Sequence, residues 1–410
     1  MDSGGTAASP GRGRRLLHLG LFGLALSAFG LWLGYLWLSR NDPSAWQRDW
    51  FCFYSAGERF LETGPVSTYV EQCIDDYFWL YPPYLLYPYA LATQLPPLVY
   101  YGVALVAIFA FTATSLKLLA GVLPSRSFTT IGLFVVASAA FFATLTNGQH
   151  SALLLLGVAG ALWALRDDRE FTAGLFLGLV GIKPNWALFF IAWLLVARRW
   201  RTLGGMALVG AVMIVSTLPM GLEAWRAYLV AGPAGVGDLL DPATGDYSYP
   251  AHKLVTFEVF ARSTVGALSP AAGRIAWIAL QALAVVACLA AWLRSSDVRD
   301  QLAMTVLAAV AANVYVEFYD ALVLAVPAAV WWTGRARYRP GTWRLVGAAA
   351  AAIWGWQWIW AVGSPGPDWP SLVGGFLAVW MAAEMARAFR RVPHPADPAA
   401  NPVVRGTPSG

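Results

Sequence analysis

Apolar residues dominate long uninterrupted stretches of this chain, and polar residues fall between them. The runs cover residues 16–38, 98–123, 128–145, 151–165, 171–197, 203–221, 272–293, 301–334, 342–362 and 371–388. A helix needs roughly 20 apolar residues to cross a bilayer, so these runs predict membrane helices. Two of them are interrupted. Lys183-Pro184 breaks the run at 171–197, and the polar cluster Val316-Glu317-Phe318-Tyr319-Asp320 breaks the run at 301–334. Arginines flank both broken runs on each side, as in Arg166-Asp167-Asp168-Arg169 and Arg198-Arg199-Trp200-Arg201. Positive flanks prefer the cytoplasm, so each broken run is expected to enter the membrane and return. Its arms are then short, tilted or re-entrant. Non-helical backbone at that depth needs protein or a water-filled cavity around it.

Counting each broken run as two passes gives an all-α polytopic membrane protein of about 12 passes, with both termini cytoplasmic. Of the 28 Lys and Arg, 19 then fall inside, 7 outside, and Lys117 and Lys183 within the membrane. The first run follows Arg12, Arg14 and Arg15 like a signal peptide, but its apolar core exceeds the usual 7–15 residues. It reads as a retained first span. Residues 1–15 and 392–410 read as disordered cytoplasmic tails around one membrane domain, 16–391. Its two long external loops lie at about 39–97 and 222–273. No internal repeat marks the chain as a duplicated transporter.

Composition agrees with that picture. Hydrophobic residues make up 58% and charged residues 12%, about half the soluble share of charge. The net charge of +5 is spread over short loops rather than gathered into a basic stripe, which argues against a nucleic-acid partner. Three cysteines make no metal site. Cys288 lies in a span, whereas Cys52 and Cys73 share the first external loop, where they are either free or paired in an oxidising compartment.

The first loop is the densest in information. Residues 49–63 carry apolar positions at helical spacing and stop at Gly64-Pro65. Asp49 therefore begins a short amphipathic helix, as an ordinary cap or as something more. The pattern Asp49, Phe53-Tyr54, Ala56-Gly57, Tyr69 and Tyr81-Pro82-Pro83 resembles glycosyltransferase family 87. The resemblance continues through Thr146 to Ser151, Gly178 to Leu188, Arg198 to Arg201 and Glu317 to Leu324. It implies a C-type glycosyltransferase-like membrane bundle. It also implies a polyprenyl-phosphate sugar donor, mannose above all, with a lipid or glycan acceptor outside a bacterial plasma membrane. Membrane lipids are the other partner, in cell envelope biosynthesis.

A sugar carried on a lipid phosphate already has its leaving group, so no nucleotide fold or cofactor is needed. What remains is to deprotonate the acceptor hydroxyl as it attacks the anomeric carbon, which a carboxylate can do. By the resemblance, Asp49 is that base in a single inverting displacement. Paired carboxylates would mark a retaining or hydrolytic glycosidase instead. Asp75-Asp76 read as solvated and Asp167-Asp168 as a cytoplasmic turn, so no metal site is expected.

The other candidates are donor or substrate contacts: Tyr54, Tyr81, Gln149, His150, Lys183, His252, Lys253, Glu317, Tyr319 and Asp320. Lys183 is foremost, because a charge inside a bilayer is costly and usually functional. Pairing with Asp320 or Glu317 is its alternative role. Glu317 stands where family members often carry His, and a carboxylate there repels a phosphate unless it is paired or protonated. A transporter using Lys183, Glu317 and Asp320 as a charge relay is the competing reading. The position of Asp49 in an external, aromatic-rich loop favours the enzyme.

Overall fold

The computed structural model describes residues 10–38, 49–70, 72–74, 77–122, 125–240, 253–334, 338–363 and 372–390. Helices account for nearly all of it. The first is α1 (Pro10–Leu38), and the first external loop holds α2 (Asp49–Thr63), α3 (Pro65–Val70) and α4 (Leu86–Ala92). Between α3 and α4 lies a small antiparallel hairpin, β1 (Gln72–Ile74) with β2 (Tyr77–Phe78), pairing Gln72 with Phe78. Next come α5 (Pro97–Val122), α6 (Ser125–Val136), α7 (Ala139–Asn147) and α8 (Ser151–Arg166). They are followed by α9 (Glu170–Gly178), α10 (Pro184–Val196), α11 (Trp200–Ser216), α12 (Leu222–Leu240) and α13 (Phe257–Ser263). The chain continues with α14 (Pro270–Arg294), α15 (Val298–Ala311), α16 (Ala325–Gly334), α17 (Pro340–Gly363) and α18 (Val373–Arg390).

The fold is an all-α polytopic membrane protein. Among the described residues, 15–34, 97–122, 200–220 and 270–294 are each long and apolar enough to cross a bilayer alone. The run at 128–145 is bent by 49° between α6 and α7. Ser138 starts α7 there, its hydroxyl accepting from the Phe141 amide at 3.1 Å. Neither Gly nor Pro announces that break in the sequence.

Both interrupted runs break where their polar residues fall, and both turn back. A 3-10 turn at Leu179–Ile182 follows α9, and α10 starts with Pro184 at its first position. Gly174 lies against Thr202 and Gly205, and Gly178 lies against Val209, so α9 and α11 run parallel. The α10 helix between them must therefore return. Its end stays beside the start of α9 through Arg199–Glu170 at 2.9 Å.

The second run behaves alike. Met304 and Leu307 of α15 line one small cavity with Pro327 and Val330 of α16. Arg387 of α18 reaches Asp300 near the start of α15 at 2.9 Å, and the Tyr338 hydroxyl just beyond α16 donates to Glu384. Lipid supplies no hydrophobic force between such helices, so close packing and internal polar contacts hold them together. The two breaks meet, with the Asn185 amide donating to Asn313 at 3.0 Å. This is the end of the bundle where the first loop sits.

Candidate functional site

Asp49 is placed by its neighbour. The side chain of Trp50, 2% exposed, stacks on Tyr101 with ring centroids 4.7 Å apart, and the Tyr101 hydroxyl donates to the Leu145 carbonyl at 2.8 Å. Gly148, left-handed at φ 62°, closes α7. A Cβ on it would lie 2.6 Å from that of Trp50, closer than such atoms approach. Only glycine both turns the chain there and lets the start of α2 seat against the α7–α8 turn. Asp49 consequently meets Gln149, whose side-chain amide donates to the carboxylate. At its other end the Gln149 carbonyl accepts from the Tyr81 hydroxyl at 2.9 Å.

The break before α10 supplies the cation. Lys183 donates to both oxygens of Asp320, at 2.8 and 2.6 Å, and Ser151 at the start of α8 donates to the same carboxylate at 2.7 Å. The side chains are 10% and 1% exposed, so the pair is buried. The ammonium also lies over the rings of Tyr319 and Tyr81, at 5.2 and 5.9 Å from their centroids. The pairing alternative for Lys183 is thus realised, and the lysine still faces Tyr81 on the Asp49 side.

His150 adds a neutral polar group. Its Nε2 shares a hydrogen bond with the Tyr89 hydroxyl, and its ring packs on Phe53 and Tyr81 at 5.0 and 5.1 Å. Burial, and secondarily the charge of Lys183, pushes the imidazole down to about 3. Its buried Nδ1 has no hydrogen-bond partner among the described residues. Glu317 is buried and accepts from the Tyr315 hydroxyl. Its segment pairs with the strand-like stretch after Lys253: Leu254 bridges to Glu317, and the Val255 amide donates to the Val316 carbonyl at 3.0 Å.

Asp49, Tyr81, Gln149, His150, Lys183, Glu317, Tyr319 and Asp320 thereby gather at one end of the bundle. Lys253 begins the segment beside Glu317, and His252 lies outside the described residues. Tyr54 is not gathered with them. Its hydroxyl donates to the Leu95 carbonyl at 3.1 Å, and its ring packs on Tyr100. Ser151, Asn185, Asn313 and Tyr315 were not singled out from the sequence. The signal for the two asparagines was their place in otherwise apolar runs. Cys52 is disulfide-bonded and Cys288 is free; the side chain of Cys73 lies outside the described residues. No group of three or more His, Cys, Asp or Glu able to hold a metal occurs among the described residues.

The family model of glycosyltransferase family 87 matches residues 79–243. That stretch contains Tyr81, Gln149, His150 and Lys183, while Asp49 lies before it and Asp320 after it. Neither a curated protein nor a solved structure matches the chain.

Proposed function

We propose, on the premise that this chain is a membrane glycosyltransferase of family 87 type, that it transfers a sugar from a polyprenyl phosphate. The sugar would be mannose, and the acceptor a lipid or glycan displayed outside a bacterial plasma membrane. The observation that carries the reading is the convergence of Asp49 with the buried Lys183–Asp320 pair through Tyr81 and Gln149.

In this reading Asp49 takes the proton of the acceptor hydroxyl. The hydroxyl oxygen attacks the anomeric carbon, and the bond from that carbon to the phosphate oxygen breaks in one inverting step. The leaving phosphate gains negative charge. Lys183, held by Asp320 and aimed at Tyr81, is the nearby cation to stabilise it. The unpartnered His150 Nδ1 suits a sugar hydroxyl. The Tyr315 hydroxyl on Glu317 eases the repulsion that a bare carboxylate would exert on the phosphate.

An apolar hollow of about 300 Å³, lined by Ile214, Thr217, Leu218, Gly221, Leu222 and Trp225, supports a lipid-linked donor. It connects to the site through Tyr84, whose ring lies 6.1 Å from Trp225 and whose hydroxyl donates to Gly181, two residues before Lys183.

The test is to incubate purified protein with radiolabelled polyprenyl-phosphate mannose and a host lipid extract. Label moving into a new lipid or glycan product is the expected result. If the labelled mannosyl donor is untouched while the arabinofuranosyl donor reacts, the sugar is corrected. If neither reacts, the polyprenyl-phosphate reading fails.

A further inference from the structure

We infer that Gln149 is a positioning residue that orients the carboxylate of Asp49 and keeps it ionised; this rests on Asp49 being the base.

The chemistry of its two partners fixes which way the Gln149 amide points. A carboxylate has only lone pairs to offer, so the group facing Asp49 must be the NH₂. The carbonyl then faces Tyr81, which must spend its hydroxyl proton on it at 2.9 Å. With the amide reversed, two acceptors would face each other at Asp49. Gln149 is 3% exposed, so water does not compete for either bond. Its backbone follows Gly148 at the end of α7, and its amide donates to the Thr144 carbonyl at 3.0 Å. The side chain thus projects from a fixed turn that also seats Trp50.

Two consequences follow. An N–H donated to a carboxylate favours its charged form, so the Gln149 amide favours the ionised, basic form of Asp49. Asp320, Asp49 and Glu317 all stand near enough to act on the Tyr81 phenol. Among the described residues of the cluster, Lys183 is paired with Asp320 and burial holds His150 neutral. Burial pushes the phenols of Tyr69 and Tyr89, on the elements packed around α2, above their ordinary value. Glu58, Arg59 and Glu62 lie two or more turns along α2 itself.

The second consequence is that the Tyr81 hydroxyl proton is directed at Gln149. Tyr81 therefore meets the substrate as a ring and a lone pair rather than as an acid.

The test compares the pH dependence of kcat/KM for polyprenyl-phosphate mannose in the parent and in two variants of similar size, Gln149→Met and Gln149→Glu. The donor is a phosphodiester and has no ionisation of its own between pH 4 and 9. Removing one hydrogen bond to a charged group should move the acidic limb upward by about one unit. Gln149→Glu, which sets a second carboxylate against Asp49, should move it further. Both should lower kcat more than they raise KM. Tyr81→Phe keeps the donor on Asp49 and should move the limb less than either.

An acidic limb that stays in place in whichever Gln149 variant remains folded overturns the inference, even if activity falls, because a merely structural role lowers activity without moving that limb. Parental turnover by Asp49→Asn would instead remove the base itself. Absence of transfer in the parent removes the reading of function. The three failures are therefore distinguishable.

Discussion

Lys183 and Asp320 stabilise each other so closely that neither can be tested alone. Lys183→Met leaves Asp320, 1% exposed, as a buried charge without its cation, a change that costs roughly 3–5 kcal/mol. Loss of activity in that variant would thus mix unfolding with loss of a phosphate contact. The double variant Lys183→Met/Asp320→Asn removes both charges and keeps an acceptor for Ser151. It should recover most of the parental melting temperature in detergent while failing to bind donor. Donor affinity retained in the double variant would show that the pair is structural only. His150 gives a second residue-scale expectation, in pH. Its folded value lies near 3 against an ordinary 6.5, so the unfolded chain takes up a proton first as pH falls. Stability from burying the neutral ring is fully present above 6.5 and declines as pH drops toward 3. His150→Gln should flatten the fall in melting temperature between pH 7 and 5. An unchanged slope would count against a buried neutral imidazole.

At the scale of elements, the two returning runs decide the topology. Arg199 pairs with Glu170 because α10 comes back beside the start of α9, so reporter fusions after Arg201 and after Arg339 should both read cytoplasmic. An external signal at Arg201 would make the Lys183 run a single pass and reverse the orientation of everything after it. The turn between α7 and α8 carries a different prediction. Gly148→Ala must push Trp50 away and should lower turnover at least 10-fold through misplacement of Asp49. Gly64→Ala is the control. It carries the same left-handed strain at φ 91° but has open space around it, so it should cost about 1 kcal/mol of stability and leave turnover near parental. Equal turnover in the two variants would remove the seating role of Gly148.

Much at this scale was legible in the sequence. Lys183-Pro184 and the Glu317 to Asp320 cluster broke apolar runs where the structure breaks, and Gly64-Pro65 ended α2. The bend before Ser138 was not legible, because a helix can stop at an ordinary serine once neighbouring helices dictate the angle. Nor could spacing reveal that Gln149 and Asp49, 100 positions apart, bond to each other, since only the packing of Trp50 under Gly148 brings them together.

The whole molecule separates two polar clusters by the length of the short helices between them. Asp300, Glu384 and Arg387 tie α15 and α18 at one end. Asp49, Gln149, Lys183 and Asp320 gather at the other. α15, with 14 residues, spans roughly 20 Å at 1.5 Å per residue, so the two groups sit toward opposite faces of a bilayer. We propose that the arginine-rich turns lie inside, which would turn the Asp49 end outward, where a flipped lipid-phosphate sugar and a displayed acceptor would meet.

The claim on which this depends is that Asp49 removes the acceptor proton, and Asp49→Asn tests it with almost no change in shape. Asp49 is the first residue of α2 rather than the cap before it, so a merely structural Asp49 predicts that Asn forfeits only the helix-dipole contribution of about 0.3–1 kcal/mol. The measurement is the single-turnover rate of transfer from labelled polyprenyl-phosphate mannose, taken alongside donor affinity and melting temperature. The account predicts a rate at least 100-fold below the parent, with affinity and melting temperature close to parental. A variant that transfers sugar at the parental rate would contradict it.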